Sequence, residues 1–590
     1  MGGGRQILRS LTGGALALGT GLGVAALVPV ATLAPSGASV GVGSTVVGCP
    51  ATPQVLTVGL PGTFVNGVGP MYDSVQAAVD AARPCDWVLV APGDYKETAA
   101  APESPSGDPN VEPAGVLVTT PRLHIRGLDR NAVVIDGTKS GPTCSNATRD
   151  QNFGPDGAGL NGIMVWKATA TSVENLTVCN FLHGSGNTGN EIWWNGGDDS
   201  GQVGGWGYRG AYLNATSTYY HDENTAAQYG IFSSNWSGGT WHQTYASNFN
   251  DSGYYIGACQ QVCDQTVDHA WAQYNALGYS GSNSGGVLVV KNSQFDHNED
   301  GFDTNSQNGD NPPPQDGACP PGVTPPVVGA QTCWVFVHNW VHDNNDPYVP
   351  AAGSAAAGPV GTGLSISGGR NDTIMENRFE NNGAWGVIFV PYPDSGPPCS
   401  GGTQLQAVCL FDENGDALVA NTFGHNGFFG NPTNGDVGVT NAEPGPTDCF
   451  HGNSEEGGGN ITTSPPLLQV LYPACNGLVV PPDPNPVFTD EVACDSGSVS
   501  IGPVSGGTLC PPGNTYPRSN GAVIMHPLPP AADLPSMPDP CSGVPANAWC
   551  PASSTYPPPT EPGSGSTSGS TTGQWGLPPA AGAAGYRRRL

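Results

Sequence analysis

A short motif that recurs between about residues 162 and 430 limits the fold of this chain more than any other feature. It is an aromatic residue followed by Asn, His or Asp and then, in most copies, by Gly. The aromatic positions are Phe249, Tyr274, Phe295, Trp340, Phe379 and Phe423. The first two intervals are 25 and 21 residues, and the later intervals of 45, 39 and 44 residues are close to twice that length. Such a unit of short strands and Asn/Gly turns predicts a solenoid that winds one coil per repeat.

In a solenoid, residues at equivalent positions of successive coils stack as ladders. Asn and Asp suit such positions because they tolerate tight turns and bond to nearby backbone groups. We therefore expect structural ladders at His297 and Asn298 and at their equivalents. Two positions after the aromatic residue these are His297, His342, Asn381 and His425, and three positions after it they are Asn298, Asp343, Asn382 and Asn426.

The region before the repeats contains one helical pattern and two strand patterns. In YDSVQAAVDAARP (72–84) the apolar residues recur at helical spacing, and Pro84 ends the helix. DWVLVAPGDYKE (86–97) and LHIRGLDRNAVVIDG (123–137) each contain an apolar strand and a Gly-bearing turn.

These segments resemble the cap helix and first coils of the pectin-lyase-like right-handed parallel β-helix proteins. The later repeats resemble the generic β-helix repeats of that superfamily, including those of NosD-like periplasmic proteins. The resemblance covers roughly residues 70–430 and implies an all-β, right-handed parallel β-helix with an N-terminal cap helix. It implies no single activity, because the superfamily includes lyases, hydrolases, epimerases and non-catalytic adhesins.

Composition divides the chain into five regions. Beyond residue 450 the repeat fades into Pro clusters and five cysteines, which predict a loop-rich appendage, and GSGSTSGSTTG (563–573) is a flexible linker. The predicted division is a signal peptide (1–40), the cap and first coils (41–160), the β-helix repeats (161–445), a Pro/Cys-rich appendage (446–560) and a Gly/Ser/Thr-rich tail (561–590).

The N-terminus predicts export. Arg5 and Arg9 precede an apolar run from about residue 11 to 33, and small residues follow it. The alternative is an uncleaved anchor, because the run is long for a signal peptide. We expect cleavage, a secreted or cell-envelope location and no membrane span in the mature protein.

The 16 cysteines predict disulfides, as expected in an oxidising compartment. Most should pair over short sequence distances. The predicted pairs include Cys259–Cys263, Cys319–Cys333 and Cys399–Cys409.

The negative charge of the chain disfavours polyanionic partners. The chain has 18 Lys plus Arg against 48 Asp plus Glu, for a formal net charge of −30. Such a surface repels nucleic acid, and an acidic polymer would need a bridging cation or a local basic patch. We expect a monomer with no nucleic-acid partner.

The stretch KNSQFDHNEDGFDTNSQNGD (291–310) is the densest cluster of carboxylate and amide residues. It begins D-x-N-x-D-G like a calcium loop, but Gln307 occupies the twelfth position, so it is not an EF-hand. A shallow calcium site would use Asp296, Asn298, Asp300 and Asp303; no cofactor other than this calcium is expected. FDENGD (411–416) is a second, weaker calcium candidate.

The same stretch supplies the candidate catalytic residues. A glycosidase needs two carboxylates across a sugar, and stacked coils bring carboxylates close together. The candidates are Asp296, His297, Asp300, Asp303, His342 and Asp343.

A field of aromatic residues between 192 and 279 is the candidate substrate platform. The candidates are Trp193, Trp194, Trp206, Tyr208, Trp236 and Trp241. Exposed rings of this kind stack on sugars, whereas an internal aromatic stack would serve only the core. Both interpretations remain open from the sequence.

The predicted function is engagement of a polysaccharide along the coils. If the protein is an enzyme, hydrolysis is favoured over β-elimination because carboxylates are plentiful and cations are scarce. The alternative is a non-catalytic surface, adhesion or structural protein on the same rigid scaffold.

Overall fold

The computed structural model describes residues 48–98, 113–186, 188–197, 201–260, 263–309, 313–350, 358–405, 407–496 and 510–551. The predicted signal peptide (1–40) and the tail (561–590) lie outside these residues. Within them, no helix combines the length and apolar character needed to cross a lipid bilayer.

The chain winds as a right-handed parallel β-helix with three faces. Strands of the first two faces pair in parallel as one 19-stranded set. Four long strands run across both faces and bend between them, namely Thr171–Cys179, Tyr208–Thr216, Gly239–Ser247 and Gln265–Gln273. On other coils the two faces have separate strands.

The first face has eight further strands, and the second has seven. Those of the first face are Val55–Val58, Trp87–Val90, His124–Gly127, Leu288–Lys291, Trp334–Val337, Asp372–Met375, Ala417–Val419 and Cys449–His451. Those of the second face are Gly93–Lys96, Val133–Asp136, Gln294–Asp296, Trp340–His342, Arg378–Glu380, Thr422–Gly424 and Ser454–Glu455.

The third face closes the coils with two parallel sheets. The first has six strands, Ala114–Val118, Asn161–Trp166, Asn190–Asn195, Tyr229–Ser234, Ser252–Gly257 and Leu277–Ser280. The second has five, Asp303–Asn305, Thr362–Ser367, Trp385–Val390, Gly435–Val439 and Thr463–Ser464. Parallel bridges from Leu277 to Asp300 and from Ser282 to Asn305 join the two sheets.

Short strands outside the coils complete the structure. Gly205–Trp206 pairs in parallel with Trp236–Ser237, and Gly445–Pro446 pairs antiparallel with Val479–Val480. A three-stranded antiparallel excursion follows Trp385–Val390. Its strands are Tyr392–Ser395, Thr403–Leu405 and Val408–Phe411.

The register confirms one coil per repeat and corrects part of the predicted alignment. Phe295 pairs with Ala272 on the coil before it and with Val341 on the coil after it. Phe379 and Phe423 continue that row. Trp340 therefore lies one position before the row, and the ladder partner of Asn298 is Asn344 rather than Asp343.

The two bends beside the second face are built from residues with left-handed backbone. The first bend uses Asn175, Tyr212, Gln243, His269, Asn292, His338, Glu376 and Ala420, and the second uses Asn180, Asn248, Tyr274, His297, Asp343, Asn381 and His425. Asn and Asp adopt this conformation at low cost, which explains part of their abundance. The predicted ladder position of His297 is one such bend, with a φ of 55°.

Asparagine ladders run inside the coils next to these bends. Asn298 donates from Nδ2 to Asn344 Oδ1 at 3.0 Å and to the backbone oxygen of Ala272 at 3.1 Å. The ladder continues through Asn382 to Asn426, which is half-buried. The prediction of a structural ladder at Asn298 is confirmed.

The N-terminal helix, Val75–Ala81, lies within the segment 72–84 that the sequence predicts to be helical. Ser74 caps it by accepting a hydrogen bond from the Ala77 backbone nitrogen at 3.2 Å. Its buried residues, Val75, Ala78 and Val79, face the first strands of the solenoid. Two short 3₁₀ turns, Thr148–Asp150 and Pro155–Gly157, follow later.

The coils extend beyond the predicted boundary at residue 445. Cys449–His451 and Ser454–Glu455 still pair in parallel with the coil before them. Two helices follow, Leu468–Leu471 and Pro486–Asp495.

Eight disulfides join all 16 cysteines, and the three predicted pairs are confirmed. The other five pairs are Cys49–Cys85, Cys144–Cys179, Cys449–Cys475, Cys494–Cys510 and Cys541–Cys550.

Candidate functional site

The second face carries a row of polar and aromatic side chains that we call the outer stripe. In each strand the middle residue, such as Phe295 or Val341, is fully buried, and the residues on either side of it point outward. The stripe consists of Trp271, Gln273, Gln294, Asp296, Trp340, His342, Arg378 and Glu380, which pair coil by coil.

Asp296 is the most heavily bonded carboxylate of the stripe. It accepts hydrogen bonds from Trp271 Nε1 at 2.7 Å, from Gln273 Nε2 at 2.5 Å and from Gln294 Nε2 at 2.9 Å. His297 Nδ1 lies 2.6 Å from Asp296 Oδ2. The carboxylate is nearly enclosed, yet all its contacts favour the charged form.

The electrostatics follow from these contacts. Burial acts to raise the pKa of Asp296, but the hydrogen bonds from His297 and Gln273 and the charges of His342 and His297 outweigh it, so the pKa is lowered. The hydrogen bond to Asp296 in turn raises the pKa of His297. The His297 side chain is 47% exposed, and Nε2 has no hydrogen-bond partner among the described residues. The pair is therefore a half-exposed imidazole that its carboxylate partner holds through Nδ1.

His342 forms a second imidazole–carboxylate pair on the next coil. Its Nδ1 lies 2.7 Å from Asp343 Oδ2, and its Nε2 lies 3.2 Å from Gln294 Nε2. The Trp340 ring stacks on the His342 ring with their centroids 3.8 Å apart. Asp296, His297, His342 and Asp343 thus lie close together on two consecutive coils.

Trp340 and Arg378 extend the stripe towards the C-terminus. Trp340 is 40% exposed, and its Nε1 donates to Glu380 Oε2 at 2.9 Å. Arg378 pairs with Glu380 and, at 2.9 Å, with Glu456. The guanidinium is thereby neutralised by carboxylates instead of forming a basic patch.

Asp300 and Asp303 lie apart from the other predicted catalytic residues. Both face the third side of the solenoid, where Ser365 Oγ donates to Asp300 Oδ2 at 3.2 Å and to Asp303 Oδ1 at 2.7 Å. Burial raises the pKa of both carboxyl groups. The prediction that they share a site with Asp296 is wrong, because the bend at His297 directs the next residues to another face.

The predicted calcium set of Asp296, Asn298, Asp300 and Asp303 is not assembled for the same reason. Asn298 Oδ1 already accepts two hydrogen bonds, from the Asn275 backbone nitrogen at 3.1 Å and from Asn275 Nδ2 at 2.9 Å. It therefore has no lone pair left for a metal. Asp296 and Asp303 point outward from different faces. The D-x-N-x-D-G pattern is therefore a bend of the solenoid.

The predicted aromatic platform is mostly internal. Trp194, Tyr208, Trp236 and Trp241 lie inside the coils, and the Trp194 and Tyr208 rings stack with centroids 4.7 Å apart. Trp193 is enclosed in a separate cluster, where its ring stacks on Phe232. A ring without exposed surface cannot contact a glycan, so the platform prediction is wrong for these five residues.

Trp206 is the exception among the six predicted aromatic residues. It is 44% exposed and lies on the short strand Gly205–Trp206, away from the outer stripe. It remains a candidate contact for a ligand.

Six residues of the stripe are absent from the predicted site residues. They flank the buried row at alternate strand positions and are Trp271, Gln273, Gln294, Trp340, Arg378 and Glu380. Only strand alternation, applied after the coils are aligned, could have identified them.

Sequence comparisons leave the family of the chain open, since no protein-family model and no curated protein matches it. Solved structures with a similar fold include the A-module of a mannuronan C-5 epimerase from Azotobacter vinelandii, at 13% identity and a TM-score of 0.38, which covers 65% of this chain and 83% of the epimerase module. A polygalacturonase from Erwinia carotovora has 12% identity and a TM-score of 0.36, over 64% of this chain and 96% of the polygalacturonase. An alginate lyase from Paenibacillus has 10% identity and a TM-score of 0.30, over 70% of this chain and 99% of the lyase.

Proposed function

We propose that this protein is an extracellular, polysaccharide-engaging β-helix that holds an uncharged glycan along the outer stripe. The observation that carries the proposal is the in-register row of ring, amide and carboxylate side chains on consecutive coils. Strands are spaced about 4.8 Å apart, so the four coils span roughly 14 Å, the length of a short oligosaccharide. Gln273, Asp296, His342 and Glu380 are at most 7% exposed, so the accessible surface comes from Trp271, Gln294, Trp340 and Arg378. Eight disulfides support an extracellular location.

The charge of the stripe favours an uncharged ligand. Arg378 is paired with Glu380 and Glu456, and Asp296 keeps its negative charge. An anionic glycan would meet these carboxylates and the overall charge of −30 without a compensating basic patch. Amide and indole groups instead match the hydroxyls and apolar faces of neutral sugars.

Proton transfer by His297 is the second candidate function. A catalytic base commonly has a carboxylate on one imidazole nitrogen and the substrate on the other, and His297 has that arrangement with Asp296. A hydrolase built on the predicted carboxylate pair loses support, since Asp300 and Asp303 face elsewhere. Any activity is therefore expected to require His297.

The test of the binding function is a neutral-glycan array followed by calorimetry on each positive glycan. The variant Trp340→Ala removes the most exposed ring of the stripe, and we expect binding at least about tenfold weaker, as for a tryptophan at the centre of an interface. The matched control is Trp206→Ala, which removes an equally exposed ring elsewhere. It should bind within about twofold of the wild type.

Two results would contradict the proposal. If Trp206→Ala loses binding and Trp340→Ala keeps it, the contact surface lies at Trp206. Absence of binding to every neutral glycan would reject the function. New reducing ends from a bound glycan, lost in His297→Ala, would establish hydrolysis.

A further inference from the structure

Three buried carboxylates meet near the C-terminal end of the solenoid, away from the outer stripe. Glu413, Asp416 and Asp448 are at most 6% exposed. One carboxylate oxygen from each lies within 4.8 Å of the other two. Glu413 and Asp416 belong to the segment FDENGD, and Asp448 precedes the strand Cys449–His451 on the next coil.

The cluster lacks the partners that buried carboxylates normally have. Neither oxygen of Glu413 has a hydrogen-bond partner, and Asp416 Oδ2 has none. In the described part of the chain, no Lys, Arg or His nitrogen lies within ion-pair distance of the three carboxylates. Buried polar atoms are rarely left unsatisfied, so these oxygens require a bound cation or a proton.

Backbone hydrogen bonds hold two of the three side chains in place. Asp416 Oδ1 accepts from the Asp372 backbone nitrogen at 2.7 Å, and Asp448 Oδ1 accepts from the Asp416 nitrogen at 2.9 Å. Asp412, at the start of the segment, accepts from the backbone nitrogen of Glu443 at 2.7 Å. Asp416 and Asp448 are thus positioned before any ligand arrives.

Without a ligand the cluster is electrostatically costly. Burial and the neighbouring carboxylates raise the pKa of Glu413 and Asp416 well above the usual range. Burial also raises the pKa of Asp448 to about 6. The Glu413 and Asp448 carboxyl groups face each other, so either a shared proton or a cation must relieve the repulsion.

We propose that Glu413, Asp416 and Asp448 bind one calcium ion. Calcium takes hard oxygen ligands at 2.3–2.6 Å, so two of its ligands lie at most about 5 Å apart, which agrees with the spacing in the cluster. A cavity of about 30 Å³ that Asp448 borders has room for water on one side of the cluster.

The ion would tie two coils together at the end of the solenoid. Glu413 and Asp416 come from one coil, and Asp448 comes from the next, beside the Cys449–Cys475 disulfide. Calcium that binds the folded chain and not the unfolded one raises the stability of this end. The site is therefore structural, and glycan binding at Trp340 should not require it.

The test is calorimetric titration of the chelator-treated full chain with calcium at neutral pH. We expect one site per chain, and we expect Glu413→Gln to weaken its affinity at least tenfold. Glutamine keeps the size of the side chain and removes one buried charge, so this variant should fold. The matched control is Asp303→Asn, which alters a buried carboxylate on the third face and should leave the titration unchanged.

Thermal unfolding with and without calcium gives an independent measurement. Calcium should raise the Tm of the wild type and of Asp303→Asn and should leave Glu413→Gln unaffected. If the wild type neither binds calcium nor gains stability from it, the carboxylates share protons and the proposal is overturned. Loss of the calcium response in Asp303→Asn, with retention in Glu413→Gln, would also overturn it.

Discussion

At the scale of single residues, His297 serves both the fold and the candidate site. Its left-handed backbone forms the bend between two faces, and its ring is bonded through Nδ1 to Asp296. The bend determines where the imidazole points, and the carboxylate determines its protonation. A structural position of the repeat thereby places an ionisable group at the edge of the outer stripe.

The Asp296–His297 pair should make stability depend on pH in two directions. The pKa of His297 is raised, so its contribution is full below the unfolded pKa and is lost as pH rises through the folded pKa. The pKa of Asp296 is lowered, so its contribution is present above the unfolded pKa and is lost as pH falls through the folded one. The pair therefore stabilises the folded chain most at pH values above the unfolded pKa of Asp296 and below the unfolded pKa of His297.

An NMR titration of the His297 ring checks this directly. In Asp296→Asn the histidine should titrate closer to its usual pKa of about 6.5, because the charged partner is gone. His269, whose pKa is raised by its hydrogen bond to Asp268, is the internal control and should titrate as in the wild type. An unchanged His297 titration would mean that Asp296 does not control the imidazole.

At the scale of elements, the asparagine ladders replace side-chain hydrophobic packing at the bends. Asn344 accepts from the Asn298 backbone nitrogen at 3.2 Å and donates to the Phe295 backbone oxygen at 3.1 Å. Each rung therefore satisfies backbone groups that would otherwise be buried without partners. The ladder couples neighbouring coils through polar contacts within an apolar interior.

Removal of one rung should be costly. Asn344→Ala leaves the groups that contact Asn298 and Asn382 unsatisfied, and we expect a loss of roughly 1–3 kcal/mol in the free energy of unfolding. The control Asn224→Ala changes an exposed asparagine in a loop and should have almost no effect. Urea unfolding of both variants measures the difference, and equal stabilities would contradict a structural role for the ladder.

The sequence predicted the repeat, the N-terminal helix and three disulfides because each depends on local spacing. It did not predict that Val341, rather than Trp340, aligns with the buried Phe295. An insert between residues 313 and 333 and the left-handed bends change the spacing between these coils, so spacing alone cannot give the alignment. The same bends separate Asp300 and Asp303 from Asp296. Burial of Trp194 and Trp241 could not be predicted, since both core and surface rings fit Gly- and Asn-rich surroundings.

At the scale of the whole molecule, residues 510–551 form a C-terminal strap that runs back along the solenoid. His526 stacks on Tyr274 with ring centroids 3.7 Å apart. Further along, the Met537 backbone nitrogen donates to Asn175 Oδ1 at 2.7 Å, and the Ser542 backbone oxygen accepts from Arg126 at 2.6 Å. The strap thus contacts progressively earlier coils and connects the last part of the described chain with the first.

The end of the strap should stabilise the first coils. Trp549 packs beside Trp87 and Leu89, and its Nε1 donates to the Val68 backbone oxygen at 3.0 Å. Trp549→Ala should cost roughly 3–5 kcal/mol in local stability, since a buried tryptophan is truncated and a cavity is left. Hydrogen exchange should therefore become faster in Val55–Val58, whereas Thr422–Gly424, far from the contact, should keep its wild-type rate. Trp206→Ala, which truncates an exposed tryptophan, is the matched control. Faster exchange in both regions of Trp549→Ala would show that the strap stabilises the whole solenoid rather than its first coils.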